Sequence, residues 1–426
     1  MRRLKGRFSF CVPNEIMRDL QSLVHSVHSW IGLLAGWLLF AIFLTGTLTV
    51  FDNEITYWMQ PELQEVTLDT GKPHDSRPQM TVLNIPDDYL GVAVSKNQAP
   101  VIPVKWQEKR TFSGQTSDPV TGKMVTIRDS QGGDFFYHFH SGLLSGLAGA
   151  WLVGAAAVAM LITLCTGLGL PRGSLKDAVT GGLRPFSQRS WLGFHQLTGL
   201  LGLPFHVLIT VSGLMLLWPR FMPRELHFLS PDGSVFSILS TLHLIQFGGV
   251  TIRWLYFIMG MAASAMIATG LVLWTSRRRK SLAGSSRTAG HSLVESLNIG
   301  TVAGLLVSIA AFFWANRLLP IAVFERSQWE VRCFVVVWSL CFAHSFLRKG
   351  SYLAWRDQLY AAAVLFGLLP LLNAFTTNSH LLITGRKGEW AVAGVDLTAL
   401  AVGGLLGWVA RRVAESHSHR LNKADG

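Results

Sequence analysis

Charged side chains are scarce in this sequence. They make up 15% of the 426 residues, whereas hydrophobic residues make up 50%. A soluble chain of this length carries more charge, so the composition excludes an ordinary soluble globular protein. Cysteine is rare as well, and none of the four cysteines falls in the long polar stretch 52–137. A disulfide framework is therefore not expected there.

Two common sequence signals are missing. The first apolar block is too long for a cleaved signal peptide, and no small-residue cleavage site follows it, so we expect a retained first span. No glycine-rich dinucleotide fingerprint followed by an acidic residue is convincing, which argues against a nucleotide-binding domain in this chain.

Long apolar blocks dominate the sequence instead. A helix needs about 20 predominantly apolar residues to cross a membrane. Eight blocks meet this requirement, of which the sixth and seventh are the shortest: 28–51, 148–170, 194–218, 252–275, 297–316, 331–347, 358–375 and 391–410. The sequence therefore predicts an all-α polytopic membrane protein with about eight transmembrane helices.

Basic residues predict how these spans are oriented. Lys and Arg near span ends stay on the cytoplasmic side. They concentrate on alternate sides of successive spans, in the segments 2–18, 172–189, 277–280, 348–356 and 411–412. We therefore expect both termini in the cytoplasm. The net charge of +12 is a topology signal with some attraction to anionic membrane lipid, and nothing else indicates a nucleic-acid partner.

The spans divide the chain into four parts. Residues 1–51 contain the cytoplasmic N-terminus and helix one, and residues 52–137 form one large outer segment. That segment has alternating stretches and turn signals, which predict a small domain containing β-structure. Residues 138–280 supply helices two to four of a four-helix core, and residues 281–426 supply helices five to eight with the cytoplasmic tail.

An internal repeat relates the first and third spans. His28 opens the first span and His195 opens the third, and each is followed 17 residues later by a hydroxyl residue and a glycine. The second and fourth spans match in the same way. His140 and His243 are each followed by Gly after six residues, by Trp after eleven and by Thr-Gly after 26. One helical hairpin has been duplicated.

The repeat predicts two histidine pairs. In a four-helix bundle with sequential neighbours, helices one and three lie diagonally, as do helices two and four. His28 would face His195 near the inner membrane surface, and His140 would face His243 near the outer one. Two facing imidazoles at each depth suit two six-coordinate hemes. The chain has no Cys-x-x-Cys-His motif, so these would be non-covalent b-type hemes, and we expect the nearby glycines to admit the flat macrocycle.

Two explanations that involve no ligand role exist for these histidines. A single histidine at a membrane interface is more often an amphipathic anchor than a ligand. The repeat is also explained by helix packing alone, since Gly and Thr are favoured at contacts between membrane helices. Six histidines in segments outside the spans are expected to be solvated: His74, His227, His291, His380, His417 and His419. His25 and His138 are expected to be interfacial.

His206 is a fifth candidate. On one continuous helix it would lie about 20° around from His195 and about 16 Å further along, so that one helix could serve two hemes. The repeat gives it no partner, because its counterpart in the first span is Leu39. A ligand role and a structural polar role both stay open.

Several short motifs resemble the PepSY-associated transmembrane family. They are HSWIGL (28–33), TG (45–46), FDNEI (51–55), DPVTG (118–122), FHSGLL (139–144), WLGFH (191–195), LH (242–243) and GLVLW (270–274). The resemblance covers about residues 15–280. It implies a bacterial inner-membrane protein with a PepSY-like α/β outer domain, similar to reductases that carry electrons through two hemes to periplasmic ferric siderophores. It also implies that His28, His140, His195 and His243 are the axial ligands of the heme irons.

The leading hypothesis is therefore a heme-dependent ferric-siderophore reductase, whose electron donor is a separate protein, a quinol or a diffusible reductant. One rival is a non-catalytic membrane anchor that presents a PepSY-like partner-binding module. Another is an iron-chelate transporter, for which Asp396 in span eight is the main acidic candidate.

Overall fold

The computed structural model describes residues 14–63, 114–117, 124–170, 188–221, 233–281 and 289–422. The predicted outer domain, 52–137, therefore lies largely outside the described residues. Its described part contains two short antiparallel strands, β1 (Gly114–Ser117) and β2 (Met124–Ile127), in which Gly114 pairs with Ile127.

Helices make up nearly all of the remainder. The N-terminal part of the chain, up to residue 281, forms α1 (Asn14–Leu48), a short 3₁₀ turn (Thr49–Phe51), α2 (Asp52–Met59), α3 (Asp134–Gly142), α4 (Gly146–Gly169), α5 (Gln188–Leu201), α6 (Leu203–Phe221), α7 (Gly233–His243) and α8 (Gly249–Ser281). The C-terminal part forms α9 (Ala289–Leu318), α10 (Arg326–Leu347), α11 (Ser351–Thr376), α12 (Leu381–Lys387) and α13 (Trp390–Asn422).

Eight of the described helical segments are long and apolar enough to cross a membrane, which confirms the predicted number. Each contains or overlaps one of the eight predicted blocks. The chain is thus a multi-pass membrane protein. Large apolar side chains such as Leu147, Trp151 and Leu405 lie on its surface, each more than half exposed, as expected for helices that face lipid.

The N-terminal part of the chain forms a ring of four helical elements. Helix α1 packs against α4 and α8, α8 packs against α5, and α4 packs against α6. Because α5 and α6 together form the third element, each element contacts its sequence neighbours and the first contacts the last. Elements one and three therefore lie across the ring from each other, as do elements two and four.

The C-terminal helices form a second unit beside this ring. Helix α9 packs against α10 and α11, and α11 packs against α13. Polar side chains join the two units: Trp37 Nε1 donates to Asn298 Oδ1 at 2.7 Å, and Asn298 Nδ2 donates to the Leu271 carbonyl at 3.1 Å. Because Asn298 is buried in apolar surroundings, these bonds fix α9 against both α1 and α8.

The third span differs from the prediction of one continuous helix. The helix ends at Leu201 and resumes at Leu203, with Gly202 in the turn between. Pro204 has no N–H and cannot continue the hydrogen-bond ladder of the preceding helix, which explains why the helix breaks here. The expectation that His195 and His206 lie on one unbroken helix is therefore wrong, because His195 lies on α5 and His206 on α6.

Candidate functional site

The structure brings the predicted inner histidines together. His28 comes from α1 and His195 from α5, on opposite sides of the ring. Their ring centres are 6.3 Å apart, and the ring planes are nearly perpendicular at 78°.

The outer histidines meet in the same way. His140 lies near the end of α3 and His243 is the last residue of α7. Their ring centres are 6.1 Å apart, and the planes are tilted by 30°. Both pairs thus join one histidine from each copy of the duplicated hairpin.

Each imidazole is oriented by the other helix of its own hairpin. For three of the four, Nδ1 donates to a backbone carbonyl: His28 to Thr163 at 3.0 Å, His195 to Met266 at 2.8 Å and His140 to Ile42 at 2.9 Å. Since Nδ1 is used in this way, Nε2 is the nitrogen that stays available to a metal.

His243 uses a hydroxyl instead of a carbonyl. Its Nδ1 lies 2.9 Å from Ser212 Oγ, and that hydroxyl donates to the Leu208 carbonyl at 2.6 Å. The hydroxyl proton is therefore already used, so Nδ1 donates here as well. All four imidazoles present the same tautomer.

The repeated hydroxyl-glycine pairs explain this orientation. The hydroxyls of Thr45, Thr166 and Thr269 each bond the carbonyl three residues earlier, and these are the carbonyls that receive the histidine Nδ1–H groups. The glycine that follows each hydroxyl leaves room for the imidazole. A methyl group at Gly46 would lie 2.5 Å from His140 Nδ1, and one at Gly213 would lie 3.0 Å from His243 Cε1.

The inner pair is accommodated by the equivalent glycines. A methyl group at Gly167 would lie 3.2 Å from His28 Cε1, and one at Gly270 would lie 3.1 Å from His195 Cε1. The expectation that nearby glycines admit a macrocycle stays a prediction, and Gly167 and Gly270 do line a cavity beside the inner pair. They contact the histidine rings themselves, because the two helices of a hairpin cross where the imidazole must fit between them.

Two further glycines, Gly146 and Gly249, end the histidine-bearing segments. They follow His140 and His243 by six residues, and both have positive φ, at +56° and +62°. Glycine adopts this conformation without steric cost, so the chain turns sharply here and starts α4 and α8. The outer histidines consequently lie on short separate helices, α3 and α7, rather than on the spans themselves.

A cavity of about 530 Å³ opens beside the inner pair. His28 and His195 line it together with Leu33, Leu39 and Met160. This volume is within the range of about 300–1,000 Å³ that is typical of sites for small molecules and cofactors. The inner imidazoles therefore border a space that can take a large, flat, apolar ligand.

Aromatic packing against the C-terminal unit holds the outer pair. Phe135, Phe136 and Phe139 on α3 are almost fully buried. The Phe135 ring stacks on Phe312 of α9 at 4.3 Å and meets Phe334 of α10 at 4.9 Å. Since α3 is only about two turns long, this packing sets the position of His140.

A buried polar network continues this attachment. Arg326 and Glu330 form a 2.7 Å ion pair whose side chains are both 0% exposed. Glu330 also accepts from the Ser130 hydroxyl and the Gln131 N–H, each at 3.0 Å. Arg128 pairs with Glu62 at 2.7 Å and so joins the two described ends of the outer segment. This network was not predicted from the sequence, although charged residues within apolar helices were a usable signal for it.

His206 lies apart from both pairs. Its side chain is completely buried, and neither ring nitrogen has a hydrogen-bond partner in the part of the chain that the structure describes. Its ring centre is 6.5 Å from that of Phe43, edge to face. The structure thus gives His206 no second imidazole among the described residues.

The donor sets fit a heme better than a bare metal ion. Among the described residues no group of three or more His, Cys, Asp or Glu side chains could hold a metal ion. A pair of imidazoles supplies two ligands, so the remaining positions must come from elsewhere, and a porphyrin supplies four in one plane. With metal–nitrogen bonds of about 2 Å on each side, the two ring centres should lie roughly 6 Å apart, as they do in both pairs.

Similarity to known proteins supports the family resemblance that the motifs indicate. The uncharacterized protein PA4219 of Pseudomonas aeruginosa is 28% identical over 193 residues, which are 43% of this chain and 46% of that protein. The chain therefore spans about half the length of this curated relative. A family model for the PepSY-associated TM region matches residues 25–234 and 224–277, more than half of the chain. The chain belongs to the PepSY-associated transmembrane family.

Proposed function

We propose that the protein holds two b-type hemes and transfers electrons across the bacterial inner membrane. His28 and His195 would bind the inner heme, and His140 and His243 the outer one. The observation that carries this proposal is the pair of facing imidazoles at each of two depths, with ring centres 6.3 Å and 6.1 Å apart.

The protein contributes orientation and exclusion of water. A histidine that ligates a metal nearly always donates its other ring N–H to a carbonyl or another fixed acceptor, which sets the tautomer and strengthens the ligand. The Thr163, Met266 and Ile42 carbonyls have this role here, and the Ser212 hydroxyl has it for His243. Apolar side chains such as Leu33, Leu39 and Met160 line the inner site and would limit the access of water.

When bound, the two hemes would carry single electrons from a donor at the inner end to a periplasmic acceptor. We propose that this acceptor is a ferric siderophore, which releases its iron on reduction. The proposed acceptor rests on the resemblance to the reductases of this family. The donor would be a separate protein, a quinol or a diffusible reductant, and both termini would lie in the cytoplasm.

The transporter alternative loses its main residue. Asp396 is fully buried, but it accepts from Trp58 Nε1 at 2.9 Å and from Asn373 Nδ2 at 3.0 Å. A carboxylate bound in this way ties α13 to α2 and α11. Its role as a structural link explains its presence within a span.

Heme analysis tests the proposed function. Protein purified from heme-replete cells should give about two b-type hemes per chain by pyridine hemochrome. His28→Ala and His195→Ala should each lose the same half of the heme, and His140→Ala and His243→Ala the other half. Double mutants within a pair should resemble the single mutants, because the two ligands act as a unit.

Two outcomes would contradict the proposed function. A heme content near zero would exclude the function altogether. Four single variants that keep full heme content and a low-spin spectrum would show that the histidines are structural. His206→Ala is the control, and we expect it to keep both hemes.

A further inference from the structure

The cavity beside the inner histidines is chemically asymmetric. Its wall is mostly apolar, and its polar groups gather at the end where α1 begins and α8 ends. His25, Gln196, Arg277 and Arg278 are among the residues that line this end. The described lining residues include no Asp or Glu, so the mouth of the cavity is cationic and the interior is not.

Arg278 is held in place by aromatic rings. Its guanidinium lies 4.6 Å from the ring centre of Trp30 and 4.1 Å from that of Trp274, and the two indoles contact each other edge to face at 5.7 Å. Cation–π contacts of this kind fix the position of the charge without neutralising it. The N–H groups at the edge of the guanidinium stay available.

Arg277 is also without an acidic partner among the described residues. Its one hydrogen bond there is to His25 Nε2 at 3.3 Å, and its side chain is exposed. Arg279, the next residue, differs from both, because it forms an ion pair with the buried Glu295. Two of the three consecutive arginines thus keep unpaired charge at the mouth of the cavity.

We propose that Arg277 and Arg278 bind the carboxylate end of the ligand that the inner histidine pair holds. An apolar interior with two free cations at the mouth suits a flat amphipathic ligand that carries anionic groups on one edge, and the propionates of heme are such groups. Arginine N–H groups match carboxylates in geometry and charge. This inference rests on the proposed function and adds the orientation of the inner heme, with its propionates toward the cytoplasmic end.

Blocking the carboxylates chemically tests this inference. Full-length apoprotein in nanodiscs would be titrated with heme b and with its dimethyl ester, in which both propionates are neutral. The inner site is read from the absorbance change that is absent in His195→Ala. The unaltered protein should prefer heme b at this site by about tenfold or more, which is the effect of losing one or two charge-assisted hydrogen bonds.

The double variant Arg277→Gln/Arg278→Gln should lose this preference. It should bind heme b about as weakly as the unaltered protein binds the ester, while its affinity for the ester stays the same. Arg412→Gln is the matched control, because Arg412 also lies over a Trp ring, that of Trp408 at 5.8 Å, but away from the cavity. It should keep the preference.

The outcomes separate the possible explanations. Equal affinity for heme b and its ester in the unaltered protein would overturn the assignment of the arginines while leaving the histidine pair intact. A loss that affects both ligands alike, and that appears only in nanodiscs containing phosphatidylglycerol, would assign the arginines to lipid phosphate and also overturn it. No binding of heme b at the inner site would instead contradict the proposed function.

Discussion

The inner and outer histidine pairs share one design but differ in what surrounds them. Both pairs join the two copies of the hairpin at nearly the same ring separation. The inner pair borders an open cavity and lies on the long helix α1 and on α5. The outer pair lies on the short helices α3 and α7, and α3 packs against the C-terminal unit through Phe135 and its neighbours.

This difference shows that the two histidine pairs are supported in different ways, which the repeat alone does not indicate. The duplicated hairpin is sufficient to orient all four imidazoles. The outer site depends more directly on helices outside the repeat, because the short helix that carries His140 packs against α9 and α10. These helices also hold the end of the outer segment. Damage to the C-terminal unit should therefore affect the two sites unequally.

The largest expected effect comes from breaking the buried ion pair in Glu330→Ala. This change leaves the Arg326 guanidinium buried without its partner, and such losses typically cost about 3–5 kcal/mol of folding free energy. We expect a lower midpoint of thermal unfolding and loss of the outer heme, with the inner heme retained. Absorbance-monitored melting and hemochrome analysis would measure both.

The exposed pair Arg332–Glu325 is the control for this variant. Its side chains are 50% and 49% exposed, so Arg332→Ala should change stability by less than about 1 kcal/mol. Equal loss of both hemes in Glu330→Ala would mean that the C-terminal unit supports the whole core and that the distinction drawn between the two sites is wrong.

A smaller effect is expected from adding a methyl group at the repeated glycines. In Gly46→Ala the new methyl would lie 2.5 Å from His140 Nδ1, whereas in Gly167→Ala it would lie 3.2 Å from His28 Cε1. Overpacking typically costs about 1–3 kcal/mol, and the closer contact should cost more. We expect Gly46→Ala to lower the affinity for the outer heme clearly and Gly167→Ala to lower the affinity for the inner heme slightly.

Heme titration of the two apoprotein variants would measure this difference. Similar losses of affinity in Gly46→Ala and Gly167→Ala would contradict the idea that the outer site is the more constrained one.

The subtlest prediction needs no mutation. The inner imidazole planes cross at 78° and the outer planes at 30°. Perpendicular axial rings leave two iron d orbitals nearly equal in energy, whereas nearly parallel rings split them. Electron paramagnetic resonance of the oxidised protein should therefore show two low-spin signals, and the one with the larger maximal g value should vanish in His195→Ala. Its loss in His243→Ala instead would reverse the assignment.

The sequence was most informative where a pattern repeats. Hydropathy predicted the eight spans, and the equal spacing after the four histidines predicted which of them would meet. Distances along the chain could not show that Gly46 and Gly167 contact imidazole rings, because that contact depends on how two helices cross. The break at Gly202 was also missed, although Pro204 was a local signal for it.

Non-repeating contacts were largely inaccessible from the sequence. Arg326 and Glu330 are four residues apart on one helix, yet their burial depends on α3 and the end of the outer segment packing above them. His291, expected in solvent, is buried with its Nε2 3.2 Å from the Thr275 carbonyl. In both cases a polar residue is buried because a segment distant in the sequence packs against it.

The imidazoles are oriented within one hairpin but paired between two hairpins, and this bears on how such a protein arises in evolution. Every imidazole donates its Nδ1–H to an acceptor in its own hairpin but faces an imidazole from the other hairpin. A single hairpin therefore contains everything needed to aim two histidines and yet completes neither site. Two identical copies related by a two-fold axis along the bundle would complete both sites at once. The present chain has the arrangement of such a symmetric homodimer whose halves have been joined and have since diverged.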